Sequence, residues 1–129
     1  MITYYPIAPQ HDQHLSLLTL AHPDWDLARQ ERVIFAFSKS NFAAYAAIDN
    51  QVVAVVRAIS DGVGFTLVAD LLVDPNYRRQ GIASALMQMV LVQYPDCYVY
   101  ADPGSPEAHL LYQKLGFRER QVYLYVPNE

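Results

Sequence analysis

The chain has 129 residues, enough for one domain around a single core, and 53% hydrophobic against 17% charged content excludes wholesale disorder. A formal net charge of −4 excludes a general nucleic-acid binder, which carries a basic face. One cysteine excludes an internal disulfide; no basic-then-apolar leader and no run of bilayer length are present, so the expectation is a cytoplasmic protein without membrane contact.

Ile2–Ile7 reads as a short first strand, stopped by Pro6 and Pro9. Gln10–Leu20 carries Leu15, Leu17, Leu18 and Leu20 at spacings that suit a helix packing one face. His22-Pro23-Asp24-Trp25 breaks it, and Asp26 is placed to cap a second helix running to Ser38. From Phe42 the pattern changes: Phe42–Ile48 and Val52–Ile59 are β-branched or aromatic-rich runs joined through a hairpin signal, Asp49-Asn50-Gln51. Ser60–Gly64 is a further turn, and Phe65–Val73 is the next strand. Gly81–Tyr94 has Ile82, Leu86, Met89 and Val90 at helical spacing. Cys97–Ala101 is a short buried strand, and Pro106 opens a helix to about Leu115 that Gly116 stops. Gln121–Val126 reads as the last strand. No repeat, linker or low-complexity tract divides residues 1–129, so one domain is expected.

The order makes an α/β (α+β) fold with a mixed sheet. A strand–helix–strand crossover sets Phe65–Val73 parallel to Cys97–Ala101. Ligands of such sheets sit where the carboxyl ends of neighbouring strands part. Asp74-Pro75 ends the first of these strands, and a basic loop with Arg78 and Arg79 turns at Gly81 straight into a helix. Helix N-terminal N–H groups have no partner within the helix and its dipole favours an anion, so phosphate is the natural occupant.

Arg78-x-x-Gly81-x-Ala83 resembles the pyrophosphate-binding signature of the GCN5-related N-acetyltransferase (GNAT) superfamily, Gln/Arg-x-x-Gly-x-Gly/Ala. Downstream, Ala108, Leu111-Tyr112 and Gly116-Phe117 are similar to the superfamily's second motif, so the resemblance covers roughly Phe42 to Phe117. It implies a GNAT fold: a mixed sheet of about six to seven strands with about four helices, splayed between the fourth and fifth strands. It implies acetyl-CoA as co-substrate and no metal. The pyrophosphate would receive backbone N–H groups from Arg79, Gln80, Gly81, Ile82, Ala83 and Ser84, with charge added by Arg78 and Arg79. A Cβ at position 81 would block close approach of the pyrophosphate. Main-chain groups of Leu72 and Val73 would pair with the pantetheine arm as an added strand does, and a bulge in that strand would free an N–H for the thioester carbonyl. Ser105 stands where many members have an asparagine that contacts the same arm.

The resemblance also implies direct attack by a primary amine in a ternary complex. Tyr112 is the candidate proton donor, because a phenol near pKa ~10 can protonate a departing thiolate whose thiol lies near ~8.5. Asp70, in an otherwise apolar strand, is the candidate base; its other reading is a structural hydrogen bond. Trp25, Arg57 and Asp61 are candidates for the acceptor pocket, each equally readable as a surface or edge residue. Cys97 reads as packing and His109 as a surface residue; His11, His14 and His22 have no metal-ligand spacing. The acceptor is a small amine or a protein amine. The alternative function is a non-catalytic acyl-CoA-binding sensor of the same fold. The protein is a monomer whose last strand joins its own sheet, or a homodimer paired through Val122–Val126.

Overall fold

The computed structural model describes residues 1–128. Five strands form one sheet in chain order: β1 (Ile2–Tyr5), β2 (Phe42–Ile48), β3 (Gln51–Ser60), β4 (Phe65–Val73) and β5 (Tyr98–Ala101). The first three pairings are antiparallel and β4–β5 is parallel. Four helices complete the fold: α1 (His11–Ala21), α2 (Leu27–Ser38), α3 (Ile82–Gln93) and α4 (Pro106–Lys114).

Local chemistry accounts for the element ends. Asp26 accepts a hydrogen bond from the Arg29 N–H at 2.8 Å and so caps α2. Asp49 and Asn50 take φ of 50° and 66°, the left-handed pair that a two-residue hairpin between right-twisted strands requires. Asp and Asn tolerate that region better than other side chains do.

The sheet has a core on each face. On one, Ile82, Leu86, Met87 and Val90 of α3 pack with Ala44, Ala46, Ala54, Val56, Ala58 and Val68. The run of alanines lets the helix approach the strands closely. On the other, Leu17 of α1 and Phe37 of α2 pack with Val52 and Val55.

Two register shifts adjust which face each side chain meets. Ala46 and Ala47 pair with Ala54 and Val52, so Val53 is the extra residue on β3. Arg57 and Ala58 pair with Asp70 and Val68, so Ala69 is the extra residue on β4. Before this bulge, Val68 faces the α3 core. After it, Leu71 and Val73 take that face while Leu72 packs toward α1 and α2. The bulge therefore moves Asp70 off the face of Val68; regular alternation would put both on the same side.

The sheet stops at five strands, short of the six to seven expected. Gln121–Val126 is not a strand, although its β-branched and aromatic residues suit one. Propensity alone does not hold a strand, which needs a paired edge and a surface to cover. After the Phe117 N–H, which donates to the Tyr112 carbonyl at 2.9 Å, residues 118–126 are exposed.

Leu86 is fully buried beneath α3. Leu86→Ala is expected to lower unfolding free energy by about 2–5 kcal/mol through lost transfer energy and a residual cavity, read from urea unfolding midpoints at constant m.

Candidate active site

The loop between β4 and α3 is tied down at its first residue. Buried Asp74 donates its N–H to the Val53 carbonyl at 2.8 Å and accepts from the Asn76 N–H at 2.9 Å, setting one 3₁₀ turn at Pro75–Tyr77. The bulge residue Val53 thus anchors the loop to the sheet. Arg79 and Gly81 then take left-handed conformations, φ 64° and 78°. Left-handed residues set within a turn make concavities lined by N–H groups, which accept anions.

Helix α3 begins at Gly81 with no side-chain cap, and its first backbone bond runs from the Ala85 N–H to the Gly81 carbonyl at 3.0 Å. The N–H groups of Ile82, Ala83 and Ser84 therefore have no helical partner. Arg78, Arg79, Gln80 and Gly81 are exposed around them. The positive φ is what requires glycine at position 81; a Cβ there would project into open space and meet no protein atom within 4 Å. That open space beside unpaired donors fits a phosphate group.

Beside the loop the sheet splits. β5 pairs with β4 only from Phe65↔Tyr98 to Val68↔Ala101. From Ala69 to Val73 β4 keeps β3 on one side and has no β5 partner on the other. The Asp74 N–H bond to the Val53 carbonyl sets the phase of the β3–β4 ladder, so Leu71 and Val73 turn their main-chain groups to the gap while Leu72 turns its own to Val55 of β3. This is the splay expected between the fourth and fifth strands, and it starts at the Ala69 bulge.

On the α1–α2 face, a cavity of about 70 Å³ is lined by Asp70 and Leu72 with His14, Leu18, His22, Trp25 and Phe37. Trp25 and His22 stack with centroids 3.8 Å apart, and the Arg29 guanidinium lies 4.2 Å over the indole. Asp70 stands opposite Arg57 in register, and the Arg57 Nε–H donates to its Oδ2. Arg57 also donates from Nη1 to Ser40 Oγ at 3.4 Å. Asp70 thus holds a cross-strand ion pair and faces the cavity at once. The charge in the apolar strand β3 is explained by the carboxylate it pairs with.

His14 also lines this cavity, although the sequence gives it no metal-ligand spacing. It is 1% exposed, edge-on to Phe37 at 4.5 Å, and its Nε2 is a fully buried atom without a partner. Burial lowers its pKa to about 4, with the charge of nearby His11 adding to the shift. The signal in the sequence was its spacing, since His14, Leu17 and Leu18 share one helical stripe and all three are buried.

Tyr112 on α4 is 7% exposed and joins the apolar cluster that contains Val68, Leu71 and Val73 of β4 with Val99 and Ala101 of β5. Burial pushes its phenol up from the usual value, and the Asp102 carboxylate adds to this, so the group keeps its proton at neutral pH. Ser105 caps α4, its hydroxyl accepting from the Ala108 N–H at 3.1 Å. Asp61 lies in the β3–β4 turn, outside the cavity, and accepts from the N–H groups of Gly64, Val63 and Phe65, which hold its carboxyl below the usual range. The site thus brings together Trp25, Asp70 and Leu72, with Arg57 through Asp70, and leaves Asp61 aside. Among the described residues no three potential metal ligands cluster. Among the described residues no helix is long and apolar enough to cross a membrane.

A mixed sheet whose one parallel pair parts beside an uncapped helix N-terminus is an architecture of the α/β class. The profile of the acetyltransferase (GNAT) domain matches residues 39–119, and the chain belongs to the GNAT acetyltransferase family. A GNAT-family acetyltransferase from Streptococcus pneumoniae is 26% identical, with a TM-score of 0.83 over 100% of both chains. An acetyltransferase from Trypanosoma brucei shares the fold at 22% identity and TM-score 0.70, over 98% of this chain and 100% of its own. So does AAC(6')-Iy in complex with the bisubstrate analog CoA-S-monomethyl-acetylneamine, at 14% identity and TM-score 0.74, over 100% and 99%. No curated protein matches the sequence.

His14 titrates lower in the folded chain than in the unfolded one, so the unfolded state binds more protons between pH 6.5 and about 4. Stability is expected to fall across that window by roughly 1–3 kcal/mol as pH drops. His11, raised by hydrogen bonds to Glu31 and Asp12, acts in the opposite sense and above pH 6.5, so the two effects separate. Urea unfolding at pH 7 and pH 4.5 of wild type and His14→Phe measures this; the variant is expected to lose most of the acid-side slope.

Proposed function

We propose that the protein transfers the acetyl group of acetyl-CoA to a primary amine by direct attack in a ternary complex. The observation that carries this reading is the β4–β5 gap opening onto the Arg78–Ser84 loop, with the Asp70 cavity against the same strand. A long donor laid in the gap meets N–H groups of the loop and of the α3 N-terminus at its pyrophosphate. Its pantetheine arm meets the free main chain of Val73, with Leu71 turned the same way and Leu72 held to β3. The acceptor amine enters from the α1–α2 side, past Trp25.

The extra residue on β4 interrupts the ladder beside Asp70, and a main-chain N–H freed there receives the negative charge that develops on the thioester oxygen. Arg57 holds one oxygen of Asp70, and the other has no partner among the described residues. That oxygen takes the ammonium proton directly or through water. The nitrogen bonds to the acetyl carbon, the carbon–sulfur bond breaks, the thiolate takes a proton from Tyr112, and the second proton lost by the nitrogen returns to the phenolate through water. A phenol kept protonated by burial suits that task.

Fold neighbours support an amine acceptor, because one was solved with an analogue that holds donor and acceptor portions in a single molecule. Arg57 acts through Asp70 as a positioning residue. The single Cys97 fits a reducing, cytoplasmic setting.

Calorimetric titration with acetyl-CoA is expected to show micromolar binding that Gly81→Glu abolishes, since the new carboxylate would enter the phosphate space. Thiol release with an amine panel then reads turnover. Tyr112→Phe is expected to lower kcat by ~10²–10⁴-fold with the acetyl-CoA affinity kept. Binding without turnover on any amine, unaltered by Tyr112→Phe, would favour the sensor.

A further inference from the structure

Among the described residues, His14 Nε2 is the one fully buried side-chain polar atom without a hydrogen-bond partner. Folded chains pair such atoms, because an unmade bond leaves the loss of hydrating water uncompensated. Phe37 packs against the ring at 4.5 Å between centroids, and the ring lines the same cavity as Asp70. Burial keeps the imidazole neutral at pH 7, so one of its nitrogens carries a lone pair. Arg57 engages one Asp70 oxygen and leaves the other without a partner among the described residues. One cavity therefore has two polar groups in its wall with bonding capacity to spare.

The size of the cavity sets a second condition. A cavity of about 150 Å³ admits benzene and its six heavy atoms, so the about 70 Å³ here admits roughly three. Three heavy atoms in a row are a nitrogen and two carbons. Leu18, Val55 and Leu72 offer the carbons an apolar wall. A branch at the carbon that bears the nitrogen would add an atom against Leu18 and Val55, each held at 1% exposure, and overpacking of such a wall is costly.

On the transferase reading above, we propose that the acceptor is a slender primary amine whose unbranched aminoalkyl end enters this cavity, its nitrogen hydrogen-bonded to Asp70 and to His14 Nε2. An ammonium offers donors only, so this pairing sets the lone pair at Nε2 and the ring proton at Nδ1. Held at two points, the nitrogen keeps one direction open for the acetyl carbon, which is how orientation lowers a barrier. The rest of the acceptor lies outside the cavity, past Trp25. A straight-chain amine fits this arrangement, and an amine on a branched carbon does not.

n-Propylamine and isopropylamine contain the same atoms and differ only in the branch, so they are the probes. With CoA present, which has no acetyl group to transfer, n-propylamine is expected to shift the His14 Nε2 resonance in nitrogen NMR of the wild-type chain. Isopropylamine at the same concentration is expected to leave it in place. With acetyl-CoA, thiol release is expected to give kcat/KM about 10–200-fold higher for n-propylamine. His14→Leu is expected to lose roughly 10-fold in kcat/KM for n-propylamine, chiefly through KM, with acetyl-CoA affinity kept. His14→Gln, whose amide oxygen accepts the same N–H, is expected to recover most of that loss. Equal use of both amines, a His14→Leu variant as active as wild type, or an unmoved resonance while n-propylamine is acetylated would overturn the proposal and leave the transferase reading standing. A shift with n-propylamine but transfer to no amine would support the proposal and overturn that reading. Neither shift nor transfer would overturn both.

Discussion

β4 and β5 share four residue pairs and then part, because β5 ends at Ala101 ahead of Asp102-Pro103 while β4 continues to Val73. The rest of the site depends on that parting. Main-chain donors and acceptors left without a strand partner have to be met by something, and a gap of this shape admits an extended ligand as a stand-in strand. The bulge at Ala69 falls where the gap starts. One extra residue both interrupts the ladder and turns the Asp70 side chain away from the α3 core toward the α1–α2 cavity.

Electrostatics follow from the same geometry. The loop after β4 gathers exposed Arg78 and Arg79 about three unpaired N–H groups, a local attraction for anions on a chain of net negative charge. The α1–α2 side is arranged differently. Arg57 and Asp70 satisfy each other across β3 and β4, so the cavity carries a compensated pair with one carboxylate oxygen to spare. His14 stays neutral beside it because burial disfavours its charge. The cavity thus combines a neutral imidazole, a half-engaged carboxylate and an indole over which the Arg29 guanidinium stacks.

Much of this was legible in the residues. The strands Phe42–Ile48 and Phe65–Val73, the Asp26 cap and the helix after Gly81 all follow from local pattern, and the structure has them where the pattern set them. The exposed arginines and the left-handed glycine that open α3 were equally legible, because a helix N-terminus preceded by arginines and glycine is a property of neighbours in sequence. Three things were not. The Arg57–Asp70 pair joins residues on different strands. The burial of His14 depends on which face of α1 meets α2 and β3. The failure of Gln121–Val126 to join the sheet depends on where the chain runs after α4, which those residues do not set.

The sequence by itself determined the element order as far as α4, the crossover that makes β4 and β5 parallel, the glycine-led start of α3 and the family. Each rests on periodicity, capping or spacing within a short window, where backbone geometry is set by adjacent residues. The tertiary structure alone decided where the strands part, which way Asp70 points, what Arg57 is for and that the last apolar run stands clear of its own sheet. Those outcomes turn on a one-residue register shift and on packing between distant segments. A register slip leaves local propensity unchanged while it reverses the face each side chain meets.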